Sequence, residues 1–135
     1  MADDCIFCRI VTGEIPADFV YKDESTIAFK DIHPVAPVHI LVVPTEHVDS
    51  LASLRVEHGA LAGHLLQTAA GIARDLGVEE GGYRVTINTG PDSGSEVAHL
   101  HLDTTGGPPW KPLPALFTAV ARLHHLCRDF TPAAE

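Results

Sequence analysis

Gly94-Ser-Glu-Val-Ala-His99-Leu-His101-Leu-Asp103-Thr-Thr-Gly106-Gly107 spaces two imidazoles and a carboxylate two residues apart and closes on a double glycine. Successive side chains of an extended strand point to opposite faces. His99, His101 and Asp103 are therefore expected to project together, with Leu100 and Leu102 turned into a core. Two imidazoles and a carboxylate on one face, backed by an apolar face, can do chemistry. The plain alternative is a half-buried strand whose polar residues meet water.

Working back from this stretch, Thr89-Gly-Pro-Asp-Ser-Gly-Ser95 reads as a tight turn-forming loop, and Tyr83-Arg-Val-Thr-Ile-Asn88 alternates as a strand. A helix is expected at about 57–76, where Leu61, Leu65, Ala69, Ile72 and Leu76 recur at helical spacing and Gly77 supplies the stop. His58 and His64 lie off that apolar line and are expected to be solvated. Residues 18–22 and 25–30 read as short strands joined by a turn at Asp23-Glu24. His33-Pro-Val-Ala-Pro37 then leads into Val38-His-Ile-Leu-Val-Val43, a nearly all-apolar interior strand closed by Pro44.

Beyond the double glycine the chain changes character. Pro108, Pro109, Pro112 and Pro114 frame Trp110, and a helix is expected from Pro114 with Leu116, Val120, Leu123, Cys127 and Phe130 on one face. Cys127 reads there as a small core residue, and His124 and His125 as charges favoured near a helix end. Strand, strand, strand, helix, strand, strand, helix with hairpin-length connections points to an antiparallel α+β sheet. Residues 1–135 read as one domain, with a C-terminal extension from about 108.

Composition narrows the function classes. With 135 residues, 45% of them hydrophobic, the chain suits one compact core. No apolar run approaches the roughly 20 residues of a membrane span. The N-terminal stretch lacks the basic flank and apolar run of a signal peptide, so the expected compartment is the cytoplasm. A formal net charge of −9 argues against nucleic acid as the main ligand. It does not exclude a small phosphorylated ligand held by local donors. Cys5-Ile-Phe-Cys8 has no strand read before it, where a thioredoxin-like motif follows one, so redox use is the weaker functional reading. Half of a zinc site is the better reading, provided the fold supplies two more ligands.

Several separated segments together resemble the histidine triad (HIT) superfamily, in particular its small nucleotide-binding hydrolases. They are Ile6-Phe-Cys-Arg-Ile10 with Gly13-Glu-Ile-Pro16, Ile27-Ala-Phe-Lys-Asp31-Ile32, Pro34-Val-Ala-Pro37-Val-His39-Ile-Leu-Val-Val-Pro44 with His47, then Asn88, Gly94 and the His strand. The likeness spans Cys5 to Gly107, about three quarters of the chain. It implies an α+β fold with a five-stranded antiparallel sheet, and a homodimer that joins two such sheets. It also implies a pocket for a small molecule of the nucleotide class. Ile6, Phe7, Ile10, Phe29 and Ile32 would wall the base, Asp31 would accept from the ribose hydroxyls, and Asn88, Gly94, Ser95 and Val97 would line the rest. His101 matches the nucleophile that attacks an α-phosphorus, and His99 the first triad histidine. The resemblance further implies structural zinc on Cys5, Cys8, His47 and His99, and no organic cofactor.

The same stretch departs from the family pattern where phosphate should sit. Ser95 replaces a glutamine, Glu96 a small hydroxyl residue and Asp103 the third histidine. Ionised Glu96 and Asp103 offer only acceptors to a phosphoryl group. At about 4 Å and an effective dielectric near 20, each unit charge pair costs on the order of 4 kcal/mol. Three readings follow. One is a divergent HIT hydrolase or transferase acting on a nucleotide phosphoramidate or phosphoanhydride. Another is a repurposed enzyme using Glu96, His101 and Asp103 as acid–base groups, for elimination or hydrolysis of a metabolite without phosphate. The third is a catalytically weak ligand-binding dimer.

Overall fold

The computed structural model describes residues 4–108. Trp110, the helix expected from Pro114, Cys127 and most of the C-terminal extension lie outside the described residues. Among those described, helix α1 (Ile6–Thr12) precedes strands β1 (Phe19–Lys22), β2 (Thr26–Lys30) and β3 (Val38–Pro44). Helix α2 (Gly59–Asp75) and strands β4 (Tyr83–Thr86) and β5 (Leu102–Gly106) follow. The strands form one antiparallel sheet in the order β1-β2-β3-β5-β4, an α+β architecture. No helix among the described residues is long and apolar enough to cross a membrane.

The apolar run of β3 sits at the centre because both its faces are covered; Ile40, Leu41, Val42 and Val43 are all buried. On one face Ile40, Val42 and Leu102 pack against Leu65, Ala69 and Ile72 of α2. That is the stripe expected from the helical spacing, except that Leu76 caps the helix and is exposed. On the other face Ile27, Phe29, Leu41 and Val43 meet Phe7 and Ile10 of α1. Removing one of these buried side chains, as in Leu65→Ala, is expected to cost about 2–5 kcal/mol.

Helix α1 starts where it does because the Cys5 sulfur accepts the Cys8 N–H at 3.4 Å, and it stops on Gly13 at φ 85°. Gly107 adopts φ 95°, and a Cβ there would come within 3.0 Å of Pro37. The second glycine of the double glycine thus lets β5 leave the sheet beside the proline-rich connection.

Three local expectations need correction. The helix expected at 57–76 begins at Gly59, preceded by a 3-10 turn over Val56–His58. His64 is not merely solvated: its Nε2–H donates to Asp23 at 2.7 Å. His58 Nδ1 accepts from the Arg55 N–H at 2.9 Å. Asp23 also takes the Tyr21 hydroxyl and the Ser25 and Thr26 N–H groups, which clasps the β1–β2 turn to α2. These donors, the Tyr21 hydroxyl foremost, hold the Asp23 carboxyl well below the usual range, and Asp23 in turn raises the Tyr21 hydroxyl.

The third correction concerns the opening stretch. The β5 ladder begins at Leu102, opposite Val42, so His99 lies before the strand and His101 at its threshold. The physical reason is Pro44, which ends β3 and has no N–H to extend a ladder. Its carbonyl is taken instead by the His99 ring at 2.9 Å, while the Leu100 N–H bonds Val48 O at 2.7 Å.

Candidate functional site

The bend before β5 sends His99 and His101 into different surroundings. His99 is fully buried and faces the start of α1. Its Nδ1 lies 3.3 Å from Cys5 Sγ and 3.5 Å from Cys8 Sγ. His47, just past β3, brings its Nδ1 to 3.2 Å from Cys8 Sγ. One ligand atom from each of Cys5, Cys8, His47 and His99 falls within 4.8 Å of all the others.

The outer nitrogens of these rings are also occupied. His99 Nε2–H donates to Pro44 O, and His47 Nε2–H donates to Asp49 Oδ1 at 2.7 Å. Both Nδ1 lone pairs are thereby directed inward, the arrangement that a metal-binding histidine needs. Burial holds the His99 imidazolium below its ordinary pKa, which favours the neutral ligand form. Burial, with the hydrogen bond and charge of Cys5 adding to it, pushes the Cys8 thiol up to about 11. Two sulfurs and two inward imidazole nitrogens drawn together in this way are a donor set that fits a tetrahedral metal of the zinc type.

His101 is held differently. Its Nδ1–H donates to His99 O at 2.7 Å, leaving the Nε2 lone pair free in the neutral ring. Phe7 packs edge-on against it at 5.2 Å between centroids, and against His99 at 5.9 Å. Asp103, on the same sheet face as Leu41 and His39, sets Oδ2 3.8 Å from His101 Nε2. Asp103 Oδ1 accepts from His39 Nε2 at 3.0 Å, and Asp31 Oδ2 stands 3.4 Å from the same nitrogen.

His39 joins this group although sequence reasoning gave it no role, reading its strand simply as an apolar run. An imidazole inside such a run was the available signal. Its side chain is only 7% exposed, and its Nδ1 accepts the Val35 N–H at 3.2 Å. That backbone donor puts the proton of neutral His39 on Nε2, pointing at the two carboxylates. Asp31, His39 and Asp103 also bring ligand atoms within 4.8 Å of one another. With a proton already between them they form a hydrogen-bonded set instead of a cation cage.

Other expected site residues divide. Phe7, Ile10 and Phe29 are packed into the core, while Ile6 and Ile32 are 44% and 84% exposed. Asp31 is partly buried, and its Oδ1 accepts the His33 N–H at 2.7 Å. Asn88 lies beyond the end of β4 and is half-buried, as are Ser95 and Val97. Gly94 closes a 3-10 turn at φ 78°. Glu96 is exposed, and among the described residues the ion pair of His101 is with Asp103, so His101 is not bracketed by two carboxylates. His99, His101 and Asp103 share the face toward Phe7, as expected, with Leu100 and Leu102 in the core beside α2, and on that face they divide between two adjoining clusters.

The HIT domain family profile matches residues 12–106. Purine nucleoside phosphoramidase of Escherichia coli is 41% identical over 113 residues, covering 84% of this chain and 95% of that protein. A HIT family hydrolase from Clostridium thermocellum has a similar solved structure, with TM-score 0.80 and 37% identity over 84% of this chain and 99% of that one. A zinc-bound histidine triad family protein from Mycobacterium smegmatis matches with TM-score 0.67 and 30% identity, covering 90% and 96% of the two chains.

Proposed function

Because the chain belongs to the HIT domain family, we propose that it is a nucleotide hydrolase or transferase that cleaves a phosphoramidate or phosphoanhydride through His101. The observation that carries this reading is the Nδ1–H of His101 on the His99 carbonyl at 2.7 Å, which leaves Nε2 as the nucleophilic atom. In the reaction the Nε2 lone pair attacks the α-phosphorus. The bond from phosphorus to the leaving nitrogen or oxygen breaks, and the leaving group takes a proton from water. Water or another acceptor then cleaves the nucleotidyl–histidine bond and returns the imidazole. The exposed Ile6 and Ile32 supply apolar surface for the base, and Asp31 supplies an acceptor for the ribose hydroxyls.

Cys5, Cys8, His47 and His99 would hold zinc. Bound there, the ion supplies structure, since protein ligands fill its tetrahedron. The chain's own part is to seat α1, and with it Phe7, against the two histidine rings. We further read the protein as a cytoplasmic homodimer that extends the sheet; light scattering that returned a monomer would remove that element.

The direct test is turnover of adenosine phosphoramidate, expected in the wild-type protein and reduced at least about a thousandfold in His101→Ala. Absence of both turnover and nucleotide binding in the wild type would overturn the reading.

A further inference from the structure

Asp103 stands beside the atom read above as the nucleophile, His101 Nε2. A phosphorus atom poised for attack lies about 3–3.5 Å from the nucleophile. Asp103 Oδ2 is 3.8 Å from that same Nε2, so phosphoryl oxygens come within a few ångströms of a carboxylate. The carboxylate cannot easily turn away. His39 Nε2–H binds its other oxygen at 3.0 Å, and the Val35 N–H fixes the His39 proton on that side. Asp103 and His39 are only 17% and 7% exposed, so water screens the charge poorly. Asp31, whose Oδ2 is 3.4 Å from His39, adds a second negative group nearby.

We propose that Asp103, positioned by His39, is a charge filter that admits a reacting phosphoryl group with one negative charge and rejects one with two. This deepens the nucleotide reading above and rests on it. A phosphoramidate or an internal phosphoanhydride phosphorus carries one charge on its non-bridging oxygens. The nucleoside monophosphate product carries close to two at neutral pH, because its second pKa is about 6. The filter accordingly favours entry of the diester-like reactant and expulsion of the monophosphate. It also disfavours phosphate as leaving group relative to an amine.

The experiment is calorimetric titration at pH 8 with adenosine, AMP and the singly charged methyl ester of AMP. The wild-type protein is expected to bind the methyl ester at least tenfold more tightly than AMP. In Asp103→Asn the amide oxygen accepts from His39 and the amide N–H groups face the phosphoryl oxygens. AMP affinity should then rise at least tenfold while adenosine affinity stays within about twofold. His39→Ala frees the carboxylate, and the ratio of methyl-ester to AMP affinity should fall toward one, which loss of packing alone would not do.

Equal affinities for AMP and its methyl ester in the wild type overturn the filter, as does an unchanged AMP affinity in Asp103→Asn. Magnesium chloride that raises wild-type AMP affinity to the level of the Asp103→Asn variant also overturns it, because the carboxylates would then be holding a cation. No binding of adenosine or either phosphate to any variant overturns the nucleotide reading and the filter together.

Discussion

Two histidine clusters lie side by side under α1 and β3, and the direction of a ring proton separates them. In the Cys5–Cys8–His47–His99 cluster, His47 and His99 donate Nε2–H outward, to Asp49 and Pro44 O, and turn lone pairs inward. In the Asp31–His39–Asp103 cluster, His39 receives the Val35 N–H from outside and turns Nε2–H inward. The donor types of both could hold a metal. Only the first turns imidazole lone pairs to its centre; in the second the imidazole presents a proton to the two carboxylates. Outward partners of a histidine, more than the ligand atoms themselves, decide whether it binds an ion or a carboxylate.

The largest expected effect breaks the first cluster. Cys8→Ser should reduce zinc from about one per chain to near none and lower Tm by about 10 °C or more, corresponding to about 3 kcal/mol or more for a domain this size. Asp103→Asn should leave zinc content unchanged; a drop from two ions per chain to one would collapse the distinction between the clusters. Next in size is Asp49→Ala, which removes the outward partner of His47. It should weaken zinc affinity about 10–100-fold in a chelator competition, with the fold retained.

A smaller effect sharpens the second cluster. Val35→Pro deletes the N–H that fixes His39, so nitrogen chemical shifts of the His39 ring should move from the single Nε2–H tautomer toward a mixture. AMP affinity should change by about fivefold, roughly 1 kcal/mol, as Asp103 loses its fixed donor. Unmoved ring shifts would show that the protein holds His39 by other means.

The smallest prediction uses a third, more exposed pair, His64 and Asp23, as the reference for a histidine–carboxylate contact near water. The folded carboxyl of Asp23 lies below its unfolded value of about 3.9, so its contribution is present above that pH and is lost as pH falls through the depressed folded value. Asp23→Asn should cost about 0.5 kcal/mol at neutral pH and flatten the acid limb of a stability-against-pH curve below about pH 4. An unchanged acid limb would dismiss Asp23 as its source.

Much of the fold was legible in residue patterns. The apolar run of β3, the α2 stripe and Gly77 are local signals, and each element formed close to where its pattern lay. The fold also brings together Cys5, Cys8, His47 and His99, the four residues the resemblance named, from segments distant in the chain. Alternation placed Leu100 and Leu102 in the core and the histidines opposite, but it did not show where the ladder begins. Pro44 stops the ladder, and His99 turns to cap its carbonyl. His39 was hidden because a lone imidazole does not disturb an apolar pattern. Its role depends on Asp103 across a strand pairing and on a loop N–H.

The sequence by itself determined the antiparallel α+β sheet, the family and the residue types available for chemistry, since periodicity and glycine or proline positions act over a few residues. Only the tertiary structure decided which way each imidazole carries its proton. That choice is set by single donors and acceptors, namely Pro44 O, Asp49, His99 O and the Val35 N–H, brought within 3.2 Å of the rings by folding. Ring protons follow the nearest partner in space, and spacing along the chain does not encode them.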